Sequence, residues 1–262
     1  MKSTGKVIFV TLAAFAAYYF IDELSFKALR QDIDAYLNQR GVSHNLAYIL
    51  VGLPILAGAA FLHGKNWPES LGLNRSPVKA FVFSLLCTLP MLVGFASLSS
   101  PDPNFTLDIF LINVIAAAFF EELYFRGFLF GQLYRYTRLG FIPSVLLGAL
   151  LFAFVHLYQS TDPLTLAGIF AVTLLGAVLF AWVYVEWNYN IWVPVFLHLL
   201  MNLFWAVFSG GDNALGGVSA NVFRIISLVL IIALTVIYKK RNAEPLEITK
   251  HTIWMKRDAQ LS

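Results

Sequence analysis

Apolar residues run along this chain in eight long stretches, separated by connectors that hold most of the charge, Gly and Pro. The stretches cover residues 7–21, 46–62, 80–98, 109–120 and onward, 141–155, 164–185, 191–208 and 225–238. Such runs predict bilayer-crossing helices, although several fall short of the ~20 residues a straight span needs and must be extended by flanking amphipathic turns. The connectors 64–68, 99–103 and 210–217 contain the Gly and Pro that break helical patterning. No internal repeat or low-complexity tract stands out. The pattern therefore predicts a single all-α domain over residues 1–262: a polytopic membrane protein, a bundle of about eight transmembrane helices, with 242–262 as a polar C-terminal tail.

Composition strengthens that reading. Hydrophobic residues make up 59% of the 262 and charged residues only 13%, and the mean hydropathy is +0.72, far more apolar surface than a soluble globule of this length covers. The single cysteine, Cys87, lies in an apolar run, which excludes a disulfide framework and leaves packing as its role. A net charge of +3 spread over membrane-flanking segments gives no support for nucleic-acid binding. Distribution matters more than the total. Lys2, Lys6, Lys65, Arg75, Lys79, Arg135, Arg138, Lys239, Lys240 and Arg241 fall on one face of an even-span arrangement, which puts both termini in the cytoplasm of a multi-pass cell-membrane protein. The connector after the first span is the weak point, because Lys27, Arg30 and Arg40 are diluted there by Asp22, Glu23, Asp32 and Asp34. Its Phe26, Leu29, Ile33 and Leu37 recur at helical spacing, as in an amphipathic helix lying in the interface. The first stretch also has the form of a signal peptide, but retaining it completes the even count.

Ionisable groups at bilayer depth are costly and mark function by default. Of fifteen acidic residues most sit in connectors, whereas Glu121 and Glu122 follow directly on the apolar run that starts at Ile109. Of five histidines only His156 and His198 end or interrupt apolar helices. Asn202 shares a helix face with His198, one turn away. If the helix from Ile109 continues to Tyr136 and the chain returns from Phe141, Glu121 precedes the hairpin midpoint by as many residues as His156 follows it, so both stand at one depth. Glu122 and Arg126 form an i,i+4 pair with the acid first, the favourable order.

In that order, Glu121-Glu122-x-x-x-Arg126, Phe152-x-x-x-His156 and His198-x-x-x-Asn202 resemble the three signature motifs of the CAAX-protease and bacteriocin-processing family of intramembrane endopeptidases. The Leu71-Gly72-Leu73 step is also similar to that family. The resemblance implies hydrolysis of peptide bonds in membrane-associated, including prenylated, peptide or protein substrates presented in the lipid bilayer. The residues suit it: Glu121 as general base on water with His156 as proton partner, His198 and Asn202 as oxyanion donors, and Glu122 with Arg126 in support.

No cofactor is expected. A zinc reading competes, in which Glu121, His156 and His198 are ligands and Glu122 the base; Asn202 suits an oxyanion better than zinc, and no His-Glu-x-x-His segment occurs. Two other classes compete as well. A proton-coupled transporter keeps Glu and His at midplane but usually shows repeated halves, which are not found here. A catalytically silent scaffold or immunity protein would not need the full polar set. The tail carries no prenylation cysteine at 259–262.

Overall fold

In the computed structural model, which describes residues 3–256, every one of the eight apolar stretches is helical. The order is α1 (Thr4–Leu37), α2 (Arg40–Val51), α3 (Leu53–His63), the single turn α4 (Trp67–Ser70), and α5 (Pro77–Leu98). A central helix follows, continuous through α6 (Leu107–Ile109), a π-helical stretch (Phe110–Phe130) and α7 (Gly131–Tyr136). Then come α8 (Phe141–Phe154), α9 (Pro163–Glu186), α10 (Trp192–Val207) and α11 (Val218–Arg241). By length and composition α1, α5, α8 with its following turn, α9 and α11 each suffice to cross a membrane, and the α2–α3 unit, bent by 41°, makes a sixth. The two remaining stretches are the short α10 and the central helix, which carries Glu121, Glu122 and Arg126. The protein is an all-α polytopic membrane bundle. Lys2 and residues 257–262, including the 259–262 end of the tail, lie outside the described residues.

The central helix positions everything else. Thr106 caps its start by accepting a hydrogen bond from Ile109 N at 3.2 Å. All of residues 122–134 are buried, as expected of a helix that is apolar on every side and packed on every side. π-Helical bonding is rare and tends to mark functional sites; here it spans both glutamates and Arg126. α1, α2, α8, α9 and α10 pack around this helix, with α5 and α11 outside α10. Cys87 is buried against Phe83, Val193 and Leu197, in a packing role.

Two features depart from the sequence expectation, each for a physical reason. The connector after the first span is no separate helix: α1 continues through it to Asn38, whose left-handed φ of 49° ends the helix. Between Asp22 and Leu37 there is no Gly or Pro, and most of the residues are good helix formers. At ~1.5 Å per residue α1 outruns the ~30 Å hydrocarbon core, and its last turns project beyond it. The α2–α3 bend falls at Gly52, where the Tyr124 hydroxyl sits where a Cβ would be and donates to Tyr48 O at 2.8 Å. Tryptophan indoles pin the connectors, Trp187 Nε1 donating to Thr235 Oγ1, Trp192 Nε1 to Leu73 O and Trp205 Nε1 to Gly211 O.

Residues 244–256 fold back on the bundle. The buried Glu186 at the end of α9 accepts hydrogen bonds from Lys239 Nζ at 2.8 Å and from Glu247 N and Ile248 N at 3.0 Å each. Further on, Thr252 O, Ile253 O and Trp254 O accept from Phe141 N, Ile142 N and Gly140 N at 2.8–2.9 Å. Gly140 offers α8 no side-chain cap. The folded-back segment therefore supplies the carbonyls that the first N–H groups of that helix require.

Candidate active site

Adjacent residues on a helix point in different directions, and the two glutamates of the central helix do so. Glu122, fully buried, turns to α10, where His198 Nδ1 lies 2.9 Å from its Oε1. The same Oε1 is 3.2 Å from Arg126 Nη1, one turn on. Arg126, 2% exposed, stacks on the Phe152 ring with Cζ 4.4 Å from the centroid, and has Phe180 beyond it at 5.9 Å. Buried Glu122 Oε2 and both terminal nitrogens of Arg126 have no hydrogen-bond partner. Orphaned polar atoms this deep are expensive.

A carboxylate only accepts, so the Nδ1–H of His198 donates to Glu122 Oε1. One turn along α10, the Asn202 side chain donates from Nδ2 to Asn113 O of the central helix at 2.8 Å, keeping its second N–H free.

Glu121, half-buried, faces the other way, toward α1 and α2, where the phenols of Tyr18 and Tyr48 feel its charge. Among the described residues it has no hydrogen-bond or ion-pair partner. The hairpin that was to bring it level with His156 forms as expected: α7 ends at Tyr136, α8 starts at Phe141, the Phe125 and Phe152 rings meet at 5.4 Å and Gly148 lies against Leu129. Both pairs are symmetric about the same midpoint. Glu121 and His156 nevertheless make no hydrogen bond. α8 ends at Phe154, and His156 in the following turn directs Nδ1 back to Phe152 O at 2.6 Å, its ring 4.5 Å from that of Phe152. Phe152 is the link between His156 and Arg126.

The structure thus brings together Glu122, Arg126 and His198, sets Asn202 beside them, and leaves Glu121 and His156 flanking. The Glu122–His198 bond was missed from the sequence. A carboxylate has more acceptor sites than one arginine fills, and α10 offered a donor at matching depth, so the signal was present. Among the described residues no three His, Cys, Asp or Glu side chains gather as a metal-holding group, so the proposed Glu121, His156 and His198 ligand set does not assemble.

A helical membrane bundle with a buried acid–histidine–arginine centre defines the class as an intramembrane polar-site protein. Residues 103–204, which hold all three motifs, match the family described as Type II CAAX prenyl endopeptidase Rce1-like. The match bears out, over those residues, the resemblance read from the motifs. Neither curated proteins nor solved structures yield a match to the chain.

Proposed function

We propose that the protein is an intramembrane endopeptidase that hydrolyses peptide bonds of membrane-associated, including prenylated, substrates with a water activated by Glu121. The observation that carries this reading is the division of labour between the two glutamates. Glu122 is committed to Arg126 and His198, whereas Glu121 has no partner and is partly open, so it is the carboxylate free to take a proton from water. His156 supplies the proton partner from the turn after α8, and Asn202 donates its free N–H to the developing oxyanion. Glu122 and Arg126 hold the His198 ring in place.

A second reading is favoured by the Glu122–His198 bond itself. A carboxylate on Nδ1 makes Nε2 of His198 a competent base, the arrangement used wherever an acid orients a histidine for proton transfer. Turnover of a prenylated test peptide by wild type, Glu121→Gln and His198→Gln in lipid nanodiscs separates the two. Near-background rates for Glu121→Gln with slow but measurable rates for His198→Gln are expected. The reverse order would move the base to His198, and full activity in both would remove the site from the reaction.

We also propose that both termini face the cytoplasm of a cell membrane, on the asymmetry of the basic connectors.

A further inference from the structure

His156 and Asn202 stand near the C-terminal ends of α8 and α10, and the segments that follow those ends are joined. Asn202 lies one turn before Trp205 on α10, which runs on into residues 208–217. That loop folds around the Trp205 indole. Trp205 Nε1 donates to Gly211 O at 3.1 Å, and Gly216, at a left-handed φ of 69°, packs on the ring with no room for a Cβ. Arg224 of α11 stacks on the same ring, its Cζ 4.8 Å from the centroid.

Arg224 is half-buried, and its partners are the loop and not a carboxylate. It donates to Ala214 O at 2.7 Å, to Leu215 O at 2.6 Å and to Asn221 Oδ1, and the ion pairs among the described residues do not include it. A planar fork that takes two successive carbonyls fixes the backbone between them. From that fixed point the loop reaches the other motif element. Ala214 N donates to Gln159 Oε1 at 2.7 Å, and Leu215 packs on Gly168 of α9, where a Cβ would come within 2.7 Å of its Cδ2. Gln159 N in turn donates to His156 O at 3.2 Å. His156 and Asn202 make no hydrogen bond to each other. They are connected instead by an unbroken run of contacts, from Trp205 through the loop and Arg224 to Gln159 and the backbone of His156.

We propose that residues 209–217 are a brace that sets the spacing between the His156 turn and the Asn202 helix, with Gln159 and Arg224 as positioning residues that touch no reacting atom. The brace rests on the peptidase reading for its catalytic consequence alone. A proton partner and an oxyanion donor carried by separate elements must be held in register for a reaction to use both. The loop backbone makes that tie, Arg224 shaping it at one end and Gln159 latching it at the other.

Hydrogen exchange of the full chain in phosphatidylcholine nanodiscs, read by mass spectrometry, tests the brace without turnover. Arg224→Met, a change confined to α11, is expected to speed exchange about fivefold or more both in 209–217 and in 155–159, which Arg224 does not touch. Gln159→Met should loosen 209–217 to a similar degree, whereas Gln159→Glu, which keeps an acceptor for Ala214 N, should stay near wild type. On a prenylated test peptide, Arg224→Met and Gln159→Met should lower kcat by about tenfold or more with KM nearly unchanged, and Gln159→Glu should again match wild type. If Arg224→Met does not fold, the two Gln159 variants decide alone. Exchange in 155–159 that ignores a folded Arg224→Met would overturn the brace. An unchanged kcat in variants whose exchange has risen would overturn it too, because the loop would then be packing only. A wild type that cleaves nothing and still shows the coupled exchange would keep the brace and sink only the peptidase reading.

Discussion

Replacing Arg126 by methionine is the sharpest test of the buried centre. The substitution keeps much of the volume and apolar contact on Phe152 but strands Glu122, which is 0% exposed. Breaking a buried pair by removing one member typically costs about 3–5 kcal/mol, because the remaining charge keeps its desolvation penalty without its partner. The guanidinium also loses its stacking on Phe152 at 4.4 Å, a smaller contribution in the same direction. His198 still donates to Glu122, which places the expected loss toward the lower end, about 3 kcal/mol. Adding Glu122→Gln removes the stranded charge, so the double variant should recover most of the loss, with a coupling of roughly 2 kcal/mol or more between the two sites. Reversible unfolding in mixed micelles with rising sodium dodecyl sulfate fraction, followed by helical circular dichroism, measures all four corners of the cycle. A loss below about 1 kcal/mol for Arg126→Met, or simple additivity in the double variant, would show that the pair is hydrated and not buried, and the reasoning about the centre would fall with it.

Other consequences are equally open to measurement. Adding His156→Ala to Glu121→Ala should change turnover little beyond the single variant, since a base and its proton partner act as a unit; multiplicative losses would separate them. Asn202→Ala should lower kcat by about a hundredfold with KM nearly unchanged, the usual result of losing one oxyanion donor, and a change confined to KM would make it a binding residue. Strong chelation should leave hydrolysis intact, whereas stoichiometric zinc whose removal abolishes turnover would restore the ligand reading. Cysteines replacing the exposed Arg138 and Lys240 should both resist an impermeant thiol reagent applied outside intact cells, and labelling of either would place that end on the other face.

What could be read from the sequence was what periodicity and depth encode. Each apolar stretch became a helix, and the Phe125–Phe152 register followed from where the hairpin turned. The continuation of α1 was hidden because charged residues such as Glu23, Lys27 and Arg30 mark a membrane boundary but favour helix as strongly as their apolar neighbours. The direction of Glu121 was hidden for another reason. Adjacent positions on a helix separate in angle, so a shared depth with His156 did not decide which glutamate met a histidine, and Glu122 met His198 instead. The docking of residues 244–256 rests largely on backbone groups, Thr252, Ile253 and Trp254 carbonyls meeting N–H groups at the start of α8 and backbone N–H groups meeting Glu186, which leaves little mark on residue type; Lys239, read as one of a basic cluster, is also buried against Glu186.

That folded-back segment ties the order of synthesis to the completion of the site. Phe141 and Ile142 leave the ribosome more than a hundred residues ahead of Thr252 and Ile253, whose carbonyls they need. Until then, α8 can be inserted, and its hairpin with the central helix can form, but the helix that leads to His156 begins at an unfinished end. Contacts of such long sequence separation close late. A chain cut before residue 244 would retain all three motifs and still lack the last piece that fixes one of the helices presenting them, so the complete centre is a property of the finished polypeptide and not of its motif segment.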